Sequence, residues 1–388
     1  MDVEKLKAAV IEQVDANRQR LGELARNIHD NPEPGFQEFK AAAWLTQFLE
    51  ENGFSVKRGI CRLPTAFRAS YGKGRPVIAL VAEYDALPGI GHACGHNISG
   101  NISVGAAVAA KLGVDQFPGC VTVIGTPAEE LYAGKAVMVK RGAFSDVDVA
   151  MMVHSWTINT ATTHALALQT LYIEFFGQAS HAAARPEKGV NALEAMIQSF
   201  NAINSLRQHI KSSARIHGII TDGGQASNIV PDHSAGEFVV RAEDEEYLGE
   251  LKEKVINCFK GAATATGARL KYKWDASCYA PMQNNMTLAR LFADNMKSLG
   301  RPVDWPDSGG LISTDMGNVS QIVPAIHANV AIAPRGTLLH SPEFAAAAVS
   351  EAAIDGLCDA AKTLAITVVD LLTSPETLAE VKEEFEGG

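Results

Sequence analysis

The chain has 388 residues, of which 47% are hydrophobic and 20% charged, and its formal net charge is −10. The length exceeds what one hydrophobic core usually organises, so two domains are expected. The acidic balance, with Lys and Arg scattered rather than clustered, argues against nucleic acid or an anionic membrane as a partner.

Residues 3–30 carry apolar residues at helical spacing (Leu6, Val10, Val14, Leu21, Leu24, Ile28). They are too charged for a signal peptide. A second helix is predicted over Glu38–Asn52, stopped by Gly53. Strands follow at Phe54–Lys57, Ala66–Tyr71 and Pro76–Ala82, then a small-residue helix at Asn101–Lys111. Cys120–Gly125 and Val147–Val153 read as further buried strands, with a helix over Leu131–Arg141 between them. Continuous apolar runs alternating with helices predict an α/β domain with a mostly parallel sheet. The character changes near residue 166. Strand Leu166–Phe176, helix Gly189–His209, strands Arg215–Asp222 and Gly236–Arg241, helix Glu245–Gly267 and strand Arg269–Trp274 follow the split pattern of a ferredoxin-like α+β domain. The expected organisation is a discontinuous catalytic domain at 1–166 and 277–388, with an inserted domain at 167–276. Helix Asn285–Gly300, strand Ile326–Ile332 and helix Glu343–Leu372 complete the first domain, and Glu376–Glu386 is expected to be a solvated end. No uncharged stretch is long enough to span a bilayer. The six cysteines (Cys61, Cys94, Cys120, Cys258, Cys278, Cys358) form no compact framework, which fits a reducing compartment and a cytoplasmic location.

Three buried strands run into residues that bind metals. The first leads to Glu83, Asp85, Cys94 and His96, the second to Glu129-Glu130, and the third to His154. Ligands bind at the carboxyl ends of strands in parallel sheets, so these groups can converge. Thiolate and imidazole suit zinc and related divalent ions. Each residue also has an ordinary alternative. Cys94 and His96 can be a packed thiol and a cap. Glu129 and Glu130 can be acids in the first turn of a helix, where the dipole favours them. Asp85 can be a turn aspartate, His154 and His340 strand-end and cap residues, and His181 a loop histidine. Adjacent carboxylates in an irregular segment point apart, so one of Glu129 and Glu130 can bind metal while the other serves as general base. His29, His92, His164, His209, His217 and His233 show no partner pattern and are read as structural or surface residues, with His327 ambiguous.

Several motifs in a fixed order make the chain resemble a known family. They are HDNPEPGFQE (29–38), EYDALPGIGHACGHN (83–97), PAEE (127–130), GQASHAAARPEKGVNAL (177–193), STDMGNVSQIVPAIH (313–327) and HSPEF (340–344). The chain is similar to the co-catalytic metallopeptidases of the aminoacylase and glutamate carboxypeptidase type (metallopeptidase family twenty), in the amidohydrolase branch near aminobenzoyl-glutamate hydrolases and β-alanyl-lysine dipeptidase-like proteins. The resemblance implies two divalent ions, zinc or manganese with cobalt as a further option, held by Cys94, His96, Glu130, His154 and His340. It implies Glu129 as general base, Asp85 as the acid behind the site, a lid that carries a homodimer interface, His181 as the lid histidine that stabilises the oxyanion, and Asn228 and Arg241 near the substrate carboxylate. Asn97 stands where much of the branch has Asp, and Glu83 where Asp is common.

These readings predict a metal-dependent amidohydrolase acting on an N-acyl amino acid or dipeptide-like small molecule. Two other classes stay open: a thiol hydrolase with Cys94 as nucleophile, and a ligand-binding relative without catalysis.

Overall fold

The computed structural model describes residues 2–305 and 312–387. The chain divides into two compact units. One comprises Met1–His164, Met282–Gly310 and Asp315–Gly388; the other comprises Ala165–Pro281 and Leu311–Thr314.

In chain order the first unit begins with helices α1 (Val3–Asp30) and α2 (Phe39–Glu51) and strands β1 (Ser55–Arg58), β2 (Phe67–Lys73) and β3 (Val77–Ala82). It continues with α3 (His96–Val114), β4 (Gly119–Gly125), the short helices α4 (Glu129–Tyr132) and α5 (Gly134–Lys140), and β5 (Val149–Trp156). The second unit holds β6 (Ala167–Phe176), α6 (Ala192–Leu206), β7 (Arg215–Asp222), β8 (His233–Ala242), α7 (Glu245–Thr266) and β9 (Arg269–Tyr279). The chain then re-enters the first unit with α8 (Met286–Ser298), α9 (Met316–Ser320), β10 (Ala325–Ala331), α10 (Pro342–Ala347), α11 (Glu351–Thr373) and α12 (Pro375–Gly387).

The sheet of the first unit has the order β1-β2-β4-β3-β5-β10. Its four strands β4, β3, β5 and β10 run parallel, while β1 and β2 add an antiparallel edge. Alternate residues of β3 serve two cores. Ile78, Leu80 and Ala82 pack with α1, α3 and α11, while Val77, Ala79 and Val81 pack with Phe144, Met138 and Met316 on the other face. Burial on both faces is why β3 reads as an unbroken apolar run. The small side chains of α3 let it lie deep between the sheet and α1 and α11.

The second unit is an antiparallel sheet of order β7-β8-β6-β9 with α6 and α7 packed on one face around Phe175, Phe238 and Phe259. Tyr172, Ile219 and Tyr272 are exposed. This unit runs to Pro281 because β9 continues to Tyr279, paired with β6 through Leu168.

Several expected boundaries shift for identifiable reasons. β5 does not stop before His154 but runs to Trp156, since Asn329, Val330 and Ala331 of β10 pair with His154, Ser155 and Trp156. The helix expected from residue 101 starts at His96, entered through left-handed Gly95. The helix expected over Leu131–Arg141 is broken at left-handed Ala133. The last long helix is interrupted before Ser350, whose side chain caps α11 through Ala353 N–H. The expected solvated tail is docked instead: α12 buries Val381, Glu384 accepts from the Met286 and Thr287 amides at 2.6 and 2.8 Å, and Lys382 pairs with Asp148 at 2.7 Å. No helix among the described residues is long and apolar enough to cross a membrane.

Candidate metal centre

The candidate residues of the first unit gather at the carboxyl end of the parallel strands. Glu83 and Asp85 follow β3, and the loop after them enters α3 at Cys94-Gly95-His96. Gly95 has φ +74°, and a Cβ there would fall 2.2 Å from Ser155 Oγ. That hydroxyl donates to the Cys94 carbonyl at 2.8 Å. Only glycine fits this turn, and the turn aims Cys94 and His96 at one point. Cys94 Sγ lies 3.6 Å from His154 Nε2, and the ligand atoms of Cys94, His96 and His154 lie within 4.8 Å of one another.

After β4 the backbone turns left-handed at Ala128 (φ +61°) and opens α4 with the two glutamates. Their carboxylates diverge. Glu130 groups with Cys94 and His340, while Glu129 groups with Glu83 and Asp315, and both come near His96. Glu130 Oε2 is 3.6 Å from His340 Nε2, and Glu130 Oε1 is 3.9 Å from His96 Nε2. His340 is half exposed, with φ +59°, and its amide donates to Ala93 O at 2.9 Å.

Hydrogen bonds fix the state of the rings. His96 Nδ1 faces Asp85 Oδ1 at 2.9 Å, and the other Asp85 oxygen accepts from Glu130 N–H at 3.1 Å. His154 Nδ1 donates to Ser155 O at 2.7 Å. In both rings Nδ1 carries a proton, so Nε2 is the nitrogen aimed into the site; on His154 it is a lone-pair donor, and on His96 it becomes one when its second proton leaves, the arrangement seen around metal-bound histidines. His96 Nε2 and Glu130 Oε1 are buried and have no hydrogen-bond partner among the described residues. Orphaned buried polar atoms are costly. His96 Nε2 lies between two such oxygens, Glu83 Oε2 at 3.5 Å and Glu130 Oε1 at 3.9 Å; beside a thiol and a second imidazole, these atoms form a donor set that fits a divalent cation.

Burial pushes the Cys94 thiol well above its ordinary value, and the Glu130 charge adds to this. On His96 burial opposes charge, but Asp85 and Cys94 outweigh it and raise the pKa well above the usual range. On His154 burial and the His96 charge push the value down to about 3. Glu129 is raised well above an ordinary glutamate, first by burial and then by the Glu83, Asp315 and Glu130 charges.

Sequence reasoning missed a buried ammonium behind this cluster. Lys135 of α5 is fully buried and pairs with Glu83 and, at 2.6 Å, with Asp315 Oδ1. Its amide donates to the other Asp315 oxygen at 2.8 Å. A single Lys in a short helix gave no signal for this. His92 and His327, read as structural or ambiguous, are both buried beside the cluster rather than on the surface, and His327 stacks on His154 with ring centroids 5.6 Å apart.

His181, Asn228 and Arg241 lie in the second unit. His181 is exposed, and its Nδ1 accepts from the Ala183 and Ala184 amides at 3.2 Å each, which puts the ring proton on Nε2. Asn228 is exposed, and its carbonyl accepts from Ala182 N–H at 3.0 Å. Arg241 donates to Ser313 Oγ at 2.9 Å and is 3.4 Å from His217 Nε2.

Residues 79–365 match the model of peptidase family M20/M25/M40. The chain belongs to this family. It is therefore a hydrolase of peptide or amide bonds. It is 37% identical to the Xaa-Arg dipeptidase of Mus musculus, over 99% of this chain and 93% of that protein. It is 30% identical to one of the subunits of p-aminobenzoyl-glutamate hydrolase from Escherichia coli strain K12, over 96% of this chain and 93% of the other. Among solved structures, the dinuclear metal binding M20-family peptidase of Bacillus subtilis aligns with a TM-score of 0.71 at 21% identity, covering 92% of this chain and 99% of that one. These M20 structural likenesses bear out the α/β fold with its mostly parallel sheet.

Proposed function

We propose that this M20-family chain cleaves the amide bond of an N-acyl amino acid or dipeptide-like molecule, with two divalent ions held by Cys94, His96, Glu130, His154 and His340. The observation that carries the reading is the pair of orphaned buried atoms, His96 Nε2 and Glu130 Oε1, with the other His96 nitrogen pinned by Asp85. The B. subtilis neighbour is described as dinuclear, which supports the count of two. Sulfur beside imidazole favours zinc, while the carboxylates also suit manganese or cobalt. The dipeptidase and aminobenzoyl-glutamate hydrolase relatives support the substrate class. When bound, the ions would supply the positive charge that acidifies a water and polarises the scissile carbonyl.

Glu129 takes the proton from the attacking water and returns it to the departing amine. Its carboxylate lies within 4.8 Å of ligand atoms of His96 and Glu130, in reach of a water at that place. Asp85 orients the His96 ring and anchors the Glu130 backbone, so that both side chains keep their direction. His181 presents Nε2–H as an oxyanion donor. Asn228 and Arg241 offer an amide and a guanidinium to a substrate carboxylate. The same resemblance supports a homodimer built through the second unit. All six cysteines are free, which supports a reducing, cytoplasmic setting. The thiol-nucleophile route is disfavoured, because a nucleophilic thiol needs a depressed pKa and access, whereas Cys94 is buried and shifted upward.

The test is Glu129→Ala, assayed for metal content and for turnover of acyl-glutamate, indoleacetyl-aspartate and β-alanyl-lysine amides. Retained metal with turnover lost by about 1,000-fold or more is the expected result. Near-native turnover would overturn the base assignment.

A further inference from the structure

The segment HDNPEPGFQE at 29–38 takes no part in the chemistry above, yet it packs on the turn that carries Glu129 and Glu130. Glu38 is fully buried. Its Oε1 accepts from Phe36 N–H at 2.9 Å and from Ala128 N–H at 2.8 Å, and its Oε2 accepts from Thr65 Oγ at 2.8 Å. Ala128 is the left-handed residue immediately before Glu129. An alanine holds that conformation only when its surroundings impose it. Gly35 closes on the same residue: a Cβ at position 35 would lie 2.8 Å from Ala128 Cβ. The Phe36 ring stacks on Tyr132 of α4 at 5.3 Å. The Glu33 carbonyl accepts from Ala86 N–H at 2.9 Å, one residue beyond Asp85.

We propose that Glu38 is a positioning residue for the hydrolytic reaction. Its carboxylate holds the Ala128 amide, and through that turn it sets the directions of the Glu129 and Glu130 side chains. Three carboxylates from distant segments thus dock the amides of this short stretch: Glu38 on residue 128, Asp85 on residue 130 and Asp315 on residue 135. Each carboxyl oxygen accepts from a backbone N–H, a bond that is stronger still when the carboxyl is ionised. The stretch from 128 to 135 contains two left-handed non-glycine residues, Ala128 and Ala133, so the anchors replace the regular helix that would otherwise fix its geometry.

This inference rests on the metal and base assignments above, and its test separates the two. Glu38→Ala, Glu38→Gln, Gly35→Ala and a remote control, Asn295→Ala on α8, are compared for kcat, KM, melting temperature and zinc affinity by chelator competition. Asn295 is buried and bonds Thr367 and Asp370, away from the turn. Glu38→Ala is expected to lower kcat by about 100-fold with KM within about 3-fold, and to weaken zinc through Glu130. Glu38→Gln keeps an oxygen for both amides and is expected to restore most of kcat. Gly35→Ala pushes directly on Ala128 while leaving the Glu38 side chain in place, and is expected to lower kcat as well. It decides the question if Glu38→Ala does not fold. The proposal falls if Glu38→Ala loses no more kcat than Asn295→Ala at equal loss of melting temperature, if Glu38→Gln is as impaired as Glu38→Ala, or if Gly35→Ala turns over at the native rate. If Glu129→Ala remains active, the base assignment fails instead, whatever the Glu38 variants do.

Discussion

Replacing Lys135 with Met removes the ammonium from a buried acidic cluster, and the consequence can be worked from the structure. Lys135, Glu83 and Asp315 are all fully buried, and the ligand oxygens of Glu83, Glu129 and Asp315 lie within 4.8 Å of one another. One ammonium cannot neutralise three carboxylates, so their ionisation divides. Burial alone would raise Glu83, but the Lys135 charge overrides it and lowers the group from its ordinary 4.5 to about 2. Burial lifts Asp315 to about 6, against the pull of Lys135. Removing one member of a buried ion pair costs about 3–5 kcal/mol, because the remaining charge is left in a dry site. The pH dependence follows by linkage. A depressed Glu83 stabilises the native chain above its ordinary 4.5, and that contribution is lost only as pH falls through about 2. In Lys135→Met the same carboxylate is raised, so the variant instead gains stability as pH falls and the group takes up a proton. Urea unfolding of both proteins, in chelator so that no divalent ion fills the place of the ammonium, should show a deficit of about 3–5 kcal/mol at pH 8. The deficit should narrow markedly by pH 5. A difference below about 1 kcal/mol, the range of a surface pair, or one independent of pH, would refute this account of the cluster.

Two further outcomes are expected. Without metal both Cys94 and His96 are held protonated, Cys94 by burial and His96 by the Asp85 charge that outweighs burial. Zinc binding should therefore release protons and tighten as pH rises. Calorimetry at pH 7 in two buffers of different ionisation enthalpy reads this directly, and a heat independent of buffer would contradict it. Ending the chain at Ser374 should cost about 3 kcal/mol, from the lost Glu384 cap on α8 and the lost burial of Val381. An unchanged urea midpoint would show that the tail is not docked.

The parts of the molecule legible in the sequence are those where one local pattern dictates one local structure. The apolar runs of β3, β4 and β5 announce strands buried on both faces, and the ligating residues after them need only the rule that parallel strands end together. What was illegible depends on partners far along the chain. β5 runs past His154 because β10 pairs with it there, and nothing near residue 154 says so. Lys135 has the look of a surface lysine until Asp315 and Glu83 close on it. The acidic run of α12 conceals Val381 and Glu384, whose roles exist only against α8. Ala128 and Ala133 carry no mark of their left-handed conformations, since non-glycine residues adopt them only under tertiary constraint.

The central claim is that Cys94, His96, Glu130, His154 and His340 hold two divalent ions. Titration of the metal-free protein with zinc, against a chelator of known affinity, tests it most directly. Two tight equivalents per chain, with at least one lost in both His96→Ala and His340→Ala, is the predicted result. A native chain that binds fewer than two, or variants that still bind two with native affinity, would contradict it.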